Sequence, residues 1–145
     1  MYLDSLPAWK NPQGTFVMGG DACHPMLPYL AQGANSSLED GAALGFLLGK
    51  AKSKDRVRDA LQMYEMIRKE RGEEIGRETF RQRDTLHLPD GPAQEARDFI
   101  LISQLGAIDI KPDFPSRWNC PKVQAWLFGY DTYREAREAW ERNPF

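Results

Sequence analysis

The sequence predicts a mostly α-helical chain with one short β-strand. Apolar residues recur at helical spacing in several long segments, whereas only residues 15–18 form a short β-branched and apolar run between turn signals. The length of 145 residues is enough for one domain. Because one strand cannot form a sheet, its backbone groups need partners. Either the strand docks on something outside this chain, or the strand prediction is wrong.

The N-terminal third is predicted to form a strand, a loop and a helix. The strand covers residues 15–18 and ends at a glycine pair, and a loop with two prolines leads from there to Gly33. Ser36 and Glu39 have the spacing of a capping box. We therefore expect the first helix to begin at Ser36 and to run to about Lys50.

The helix predicted at residues 36–50 lacks a polar face, which is typical of a helix buried on several sides. Gly41, Gly45 and Gly49 recur every four residues and therefore share one face. Glycine inside a helix costs ~1 kcal/mol relative to alanine. We expect another backbone to approach this face closely, and we predict a possible partner chain that covers the helix.

Three more helical segments and one short apolar piece complete the expected architecture. Residues 55–83 carry an apolar face at steps of three or four, among interleaved acids and bases. A third helix is predicted at residues 94–105, and residues 123–128 form the apolar piece. A second capping box at Thr132 opens a final helix that runs to about Arg142.

Composition and charge argue against several classes of function. The chain has 19 Lys and Arg against 21 Asp and Glu, a net charge of −2, so nothing attracts it to nucleic acid. No apolar run approaches the ~20 residues of a membrane span, and the N-terminal residues do not resemble a secretory signal. Two cysteines cannot build a disulfide scaffold, which favours a reducing compartment and a cytoplasmic location.

The segment between the predicted strand and the first helix carries the candidate site. Asp21 follows the end of the strand, which is where α/β folds bind ligands. The Gly-Ala-Asn turn at residues 33–35 leads into a helix N-terminus, whose unpaired N–H groups favour negative charge. Alternatively, Asp21 and Gly33 are ordinary turn residues in a strand–loop–helix connection. Spacing alone leaves both interpretations open.

A set of short motifs matches a known family in order and spacing. They are Gly-Asp-Ala-Cys-His-Pro at 20–25, Pro28, Gln-Gly-Ala-Asn at 32–35, Glu-Asp at 39–40, His-Leu-Pro-Asp-Gly-Pro at 87–92 and Trp-Leu-Phe-Gly-Tyr-Asp at 126–131. Together they resemble the C-terminal portion of single-component FAD-dependent aromatic monooxygenases, and the salicylate hydroxylase-like branch is the most similar. The first motifs resemble the second flavin-binding motif of that family.

The resemblance implies a fold and an activity. The chain would be a fragment of an α/β, Rossmann-like FAD-binding domain plus a C-terminal helical tail. Residues 1–50 would form the flavin-side part and residues 51–145 the helical region, within a single compact unit. The family reduces FAD with NAD(P)H and uses O2 to hydroxylate a small aromatic substrate. The cofactor performs this chemistry, and the protein positions and shields it.

The resemblance also assigns six residues to FAD. Asp21 matches the aspartate that hydrogen-bonds the ribityl chain. Pro25 and Pro28 match the loop beside the flavin ring. The turn whose backbone faces the pyrimidine side of the ring corresponds to Gly33, Ala34 and Asn35. No catalytic residue and no metal ligand are assigned, because Cys23, His24, His87 and Cys120 lack the usual metal-site spacing. The adjacent Cys23 and His24 do not suggest a nucleophile–base pair either.

Two family motifs are not found in these 145 residues: the Gly-x-Gly-x-x-Gly turn for the pyrophosphate and the middle Asp-Gly motif, since the Asp-Gly pairs at 40–41 and 90–91 overlap the motifs at 39–40 and 87–92. Three hypotheses follow. The sequence is a partial form of a monooxygenase, or it completes a site with another chain as half of a split flavoenzyme. In the third, it is an interaction module that kept the scaffold without catalysis.

Overall fold

The computed structural model describes residues 5–107 and 114–145. In these residues the chain forms five helices, which we number α1 (Gly33–Lys50), α2 (Val57–Leu86), α3 (Pro92–Ser103), α4 (Pro121–Phe128) and α5 (Thr132–Arg142). Short 3-10 turns cover Gly20–Ala22, Pro28–Leu30 and Lys54–Arg56. The prediction of a mostly helical chain is confirmed. Among the described helices, none combines the length and the apolar character that crossing a membrane requires.

The strand predicted at residues 15–18 is wrong. Within the described part of the chain this segment makes only an isolated antiparallel bridge, between Lys10 and Val17. The amide of Met18 donates to the carbonyl of Trp9 at 2.8 Å. The apolar run thus finds its backbone partners in the segment just before it, and this pairing is too short to form a strand.

Helix α1 starts three residues before the predicted position. It begins at Gly33, with Gln32 as N-cap and no side-chain cap, and it ends at Lys50 as predicted. The proposed cap, Ser36, is buried inside the first turn. Its carbonyl and hydroxyl oxygens lie 3.3 and 3.4 Å from Nη2 of Arg68. The hydroxyl is therefore used in packing against α2 and does not cap the helix.

The later helices correspond to the predicted segments with shifted ends. Helix α2 ends at Leu86, and α3 begins at Pro92, a residue type suited to the first turn of a helix. Residues 123–128 lie inside α4. The cap of α5 is Asp131, whose carboxylate accepts a hydrogen bond from the amide of Arg134 at 3.0 Å. The cap therefore lies one residue before the predicted Thr132.

The chain divides into two compact units. The first contains the described residues of Met1–Met26 together with Ala31–Arg77 and Asp131–Phe145, and the second contains Leu27–Leu30 and Glu78–Tyr130. In the first unit α1 packs against α5. Its core consists of Trp9, Cys23, Ala43, Leu47, Ala60, Met63, Tyr64, Ala136 and Ala139. The second unit buries Leu30, Phe114, Cys120 and Leu127. The division predicted at residue 50 stays a prediction.

Candidate functional site

The turn Gly20–Ala22 lies beside the N-terminus of α1. A Cβ atom added to Gly33 would be 3.8 Å from Oδ1 of Asp21, so the carboxylate adjoins the first residue of the helix. Gly20 has a φ of +61°, and a Cβ there would be 2.8 Å from the hydroxyl of Ser37. Glycine at position 20 thus allows both the left-handed backbone and the close approach to α1.

Five of the six predicted flavin residues lie in the first unit. Asp21, Pro25 and Ala34 are exposed, and Gly33 and Asn35 are half-buried. The structure brings Asp21 and Gly33 together at one accessible surface. This surface, formed by the turn Gly20–Ala22 and residues 33–35, is called the turn–helix face below.

Pro28 is exposed and opens a 3-10 turn in the second unit. Contacts within the second unit hold this loop. The amide of Leu27 donates to the hydroxyl of Thr79 at 3.2 Å, and the hydroxyl of Tyr29 lies 2.8 Å from Nε2 of His87. The position of Pro28 is therefore set by residues of the second unit.

The start of α1 offers backbone donors. The amide of Ser36 already bonds the carbonyl of Gln32, at 2.8 Å. The amides of Gly33, Ala34 and Asn35 precede it and therefore have no carbonyl within the helix. Because Gln32 supplies no side-chain cap, these N–H groups are available to acceptor atoms of a ligand. The turn–helix face combines these donors with the carboxylate acceptor of Asp21.

The side chain of Asn35 is used inside the protein. Its Nδ2 donates to Oε1 of Gln32 at 3.1 Å and to Oε1 of Glu39 at 3.2 Å. The side-chain NH2 group of Asn35 is therefore occupied, and its backbone amide is the donor that is left to meet a ligand.

A buried cluster of four charged side chains lies behind the face and joins α1 to α2. Nη1 of Arg68 is 2.6 Å from Oε2 of Glu39, and its Nε is 2.8 Å from Oδ1 of Asp40. Arg71 binds Glu39 with two nitrogens, each at 2.9 Å. The side chain of Arg68 is fully buried, so the two carboxylates compensate a charge that is removed from water.

Asp40 also holds the turn that carries Asp21. Its Oδ2 accepts from the amide of Gly20 at 2.8 Å and lies 2.6 Å from Nε2 of His24. Burial by itself would raise the pKa of Asp40. The hydrogen bonds from His24 and Gly20, followed by that from Arg68, outweigh burial and keep the pKa of this carboxyl below its usual 3.8.

His24 is a buried connector, a role that sequence reasoning missed. Its ring centroid is 5.2 Å from that of Trp9, and a Cβ at Gly72 would be 2.8 Å from its Cδ2. Nδ1 is buried without a hydrogen-bond partner among the described residues, so we assign the proton to Nε2, where it faces Asp40. The sequence suggested only a loop histidine, because no local pattern shows that residue 24 meets residue 40.

Cys23 belongs to the same buried environment. Ligand atoms of Cys23, His24 and Asp40 lie within 4.8 Å of one another. Burial, followed by the negative charge of Asp40, raises the pKa of Cys23 to about 12. The group is therefore a neutral thiol near pH 7, and Asp40 is already shared with the Arg68 guanidinium. This chemistry suits neither a nucleophile nor the binding of a cation.

Comparison with known proteins identifies the family of this chain. A model of the family described as "FAD binding domain" matches residues 7–79. The FAD-dependent monooxygenase OpS4 of Beauveria bassiana (strain ARSEF 2860) is 48% identical over 139 residues, which are 96% of this chain and 32% of the relative. The 3-amino-4-hydroxybenzoate 2-monooxygenase PtnB3 of Streptomyces platensis is 42% identical over 128 residues, 88% of this chain and 28% of the relative.

Solved structures agree with the sequence matches. The crystal structure of CtdE in complex with FAD and substrate 4 superposes with a TM-score of 0.70 at 29% identity, covering 96% of this chain and 29% of that one. The crystal structure of FqzB superposes with a TM-score of 0.62 at 23% identity, and the match covers 100% of this chain and 32% of the FqzB chain. At this identity the likeness is one of fold alone.

The chain spans between 21% and 32% of the length of the curated relatives it matches, with shares of 32% and 28% in the two named above. The resemblance that the motifs indicated is confirmed by the family model and by the relatives. The chain therefore belongs to the FAD binding domain family, whose cofactor is FAD, and is related to the FAD-dependent monooxygenases.

Proposed function

We propose that the turn–helix face binds the flavin portion of FAD, and that this chain is the flavin-side part of an FAD-dependent monooxygenase. The observation that carries the proposal is the contact between Asp21 and the N-terminus of α1, where a carboxylate and unpaired backbone amides share one accessible surface. This surface suits a ligand that has hydroxyl groups beside a carbonyl oxygen, as the flavin end of FAD does.

Each residue of the proposal has a chemical role. Asp21 accepts a hydrogen bond from a ribityl hydroxyl, and the amides of Gly33, Ala34 and Asn35 donate toward the pyrimidine side of the ring. Pro25 flanks the ring, and the family resemblance assigns Pro28 to the same loop. Donors fixed at a helix start favour negative charge on the ligand. Bound FAD supplies the redox chemistry, with NAD(P)H as reductant and O2 as oxidant, on a small aromatic substrate.

A binding titration tests this proposal. FAD is titrated into the 145-residue chain while flavin fluorescence is followed, with FMN as a second ligand. We expect saturable binding, and we expect Asp21→Ala to raise the Kd about tenfold or more, as the loss of a charge-assisted hydrogen bond does.

Asp90→Ala is the matched control. It removes an exposed turn aspartate that is not one of the residues forming the turn–helix face, and it should leave the Kd unchanged. Absence of binding by a chain whose circular dichroism is helical, or equal weakening by the two variants, would contradict the proposal for this chain.

A second observation supports the proposal of a partner for α1. Cβ atoms added to Gly41, Gly45 and Gly49 would meet no atom within 4 Å, and all three glycines are exposed. We propose that a polypeptide carrying the remaining part of the flavoenzyme fold packs its backbone on this side of the helix. Cys23 and Cys120 are buried and form no disulfide bond, which also fits the proposed cytoplasmic location.

Co-expression tests the partner proposal. The chain is produced together with the part of the Beauveria bassiana relative that it does not match, and co-purification and flavin retention are measured. Gly45→Leu should abolish co-purification without changing the circular dichroism of the chain alone. Arg137→Leu introduces the same side chain at an exposed position of α5, and as the control it should leave co-purification unchanged. Equal retention of the partner by wild type and Gly45→Leu would contradict the proposal.

A further inference from the structure

We propose that Asp40 is a positioning residue, which fixes the turn carrying Asp21 before any cofactor binds. Its relevance to FAD rests on the proposed function above. Asp40 lies in α1 and is buried, so it does not itself belong to the turn–helix face.

The first argument is that Asp40 holds the turn on both sides of Asp21. Gly20 precedes Asp21 and donates its amide to Oδ2 of Asp40 at 2.8 Å. His24 follows it, and its Nε2 is 2.6 Å from the same oxygen. Among the described residues, the side chain of Asp21 has no hydrogen bond of its own, so its position depends on these neighbours.

The second argument is that Asp40 is itself immobilised. Its other oxygen, Oδ1, accepts from Nε of Arg68 at 2.8 Å, and that guanidinium also bonds Glu39 and approaches the carbonyl of Ser36. Ser36 lies in the first turn of α1, immediately after the residues that offer backbone donors. One carboxylate thus connects both halves of the turn–helix face.

The third argument concerns the number of acceptor atoms. Asp40 receives three hydrogen bonds from Gly20, His24 and Arg68 on two oxygen atoms. An asparagine has one acceptor oxygen and an NH2 group that donates, so it cannot satisfy the same three donors. Asp40→Asn therefore keeps the shape of the side chain and removes at least one of the contacts.

The consequence for binding is a smaller ordering cost. A ligand that meets a prearranged turn does not spend binding free energy on ordering it. Without the Asp40 contacts, the turn would sample other conformations, and Asp21 would reach the ligand in only part of the population.

Amide hydrogen exchange of the full 145-residue chain tests the proposal without any cofactor. The reporters are the amides of Gly20, Cys23 and His24, which bond Asp40 or the carbonyl of Gly20 at 2.8 to 3.1 Å. In Asp40→Asn we expect these amides to exchange about tenfold faster or more, because local opening becomes easier. Helix content measured by circular dichroism should be kept.

Glu73→Gln is the matched control. Glu73 is a buried carboxylate of the same unit, and it bonds Ser5 at 2.9 Å and Lys69 at 2.7 Å. Among the described residues it makes no hydrogen bond to residues 20–24, and its charge has only a minor influence on Cys23. In Glu73→Gln, the amides of residues 20–24 should exchange at the wild-type rate. Unchanged exchange in Asp40→Asn, or equal acceleration in both variants, would overturn the positioning role.

His24→Phe tests the positioning role of Asp40 if Asp40→Asn does not fold. This variant keeps an aromatic ring against Trp9 and leaves the Asp40–Arg68 pair in place, while it removes the His24–Asp40 contact. Faster exchange at Gly20 and Cys23 supports the proposal, and wild-type exchange overturns it.

An FAD titration separates this inference from the proposed function. Where the wild type binds FAD, Asp40→Asn should raise the Kd about tenfold and Glu73→Gln should not change it. A wild type that does not bind FAD contradicts the proposed function of the isolated chain, while the exchange measurement still decides the role of Asp40. Wild-type affinity in Asp40→Asn would overturn the proposal even if exchange were faster.

Discussion

The two faces of helix α1 meet very different surroundings. The inner face is buried at intervals of three and four residues, at Ser36, Asp40, Ala43 and Leu47. On the outer face, Leu38 is 73% exposed, and added Cβ atoms at the three glycines would find open space. The sequence shows no polar face on this helix, yet only one side of it is covered by the described chain.

The comparison teaches that an apolar helix need not be buried all round. The inner face has a charged half, where Asp40 meets Arg68, and an apolar half, where Leu47 is fully buried. These contacts stabilise the first unit. The outer face adds little to that stability and is available for the proposed partner. Four predictions test how far this division extends.

The largest expected effect is on the charged half of the inner face. Arg68→Met leaves the buried Asp40 and the half-buried Glu39 without the cation that they share, so the free energy of unfolding should fall by ~3–5 kcal/mol. Urea unfolding followed by circular dichroism measures the change. A loss below ~1 kcal/mol, the range of exposed ion pairs, would show that the cluster is solvated.

The same substitution at two neighbouring leucines compares how much each face of α1 contributes to stability. Leu47 is fully buried, so Leu47→Ala should lower the free energy of unfolding by ~2–5 kcal/mol. Leu48 is 37% exposed, and Leu48→Ala should cost ~1 kcal/mol or less. Thermal or urea unfolding of both variants measures the two losses in the free energy of unfolding. Similar losses would remove the distinction between the faces.

Helical glycines provide a test in which the sign of the effect is decisive. A Cβ atom added to Gly72 would lie 2.8 Å from His24 and 2.9 Å from Trp9. Gly72→Ala should therefore lower the free energy of unfolding by ~1–3 kcal/mol. Gly45 faces open space, so Gly45→Ala should stabilise the isolated chain by ~0.5–1 kcal/mol. Destabilisation by Gly45→Ala in the isolated chain would mean that the outer face is already covered, for instance by a second copy.

The smallest expected effect is a pH dependence that arises at Asp40. The pKa of this carboxyl is lower in the folded chain than its usual 3.8, so the stability it contributes is full above that value. It is lost as the pH falls from 3.8 through the folded pKa. Urea unfolding at a series of acidic pH values should show a steeper loss for wild type than for Asp40→Asn. Parallel curves would indicate that Asp40 is not stabilised as the anion.

Much of the helical framework could be predicted from local pattern. The end of α1 at Lys50 and the extent of α5 to Arg142 agree with the sequence, because apolar spacing acts within one helix. The start of α1 was misplaced since Ser36 has the residue type of a cap while its hydroxyl contacts Arg68. The strand at 15–18 was wrong because its pairing with Lys10 and Trp9 depends on a local turn that its own composition does not show.

The sequence by itself determined the helical class, the family motifs and the six residues that we propose to contact the flavin. Those features are local in the chain, since a periodicity or a motif is complete within about twenty residues. Only the tertiary structure decided that Arg68 pairs with Asp40, 28 residues away, and that His24 is a buried connector. It also decided which face of α1 is covered by the described chain, because burial depends on which helices pack together.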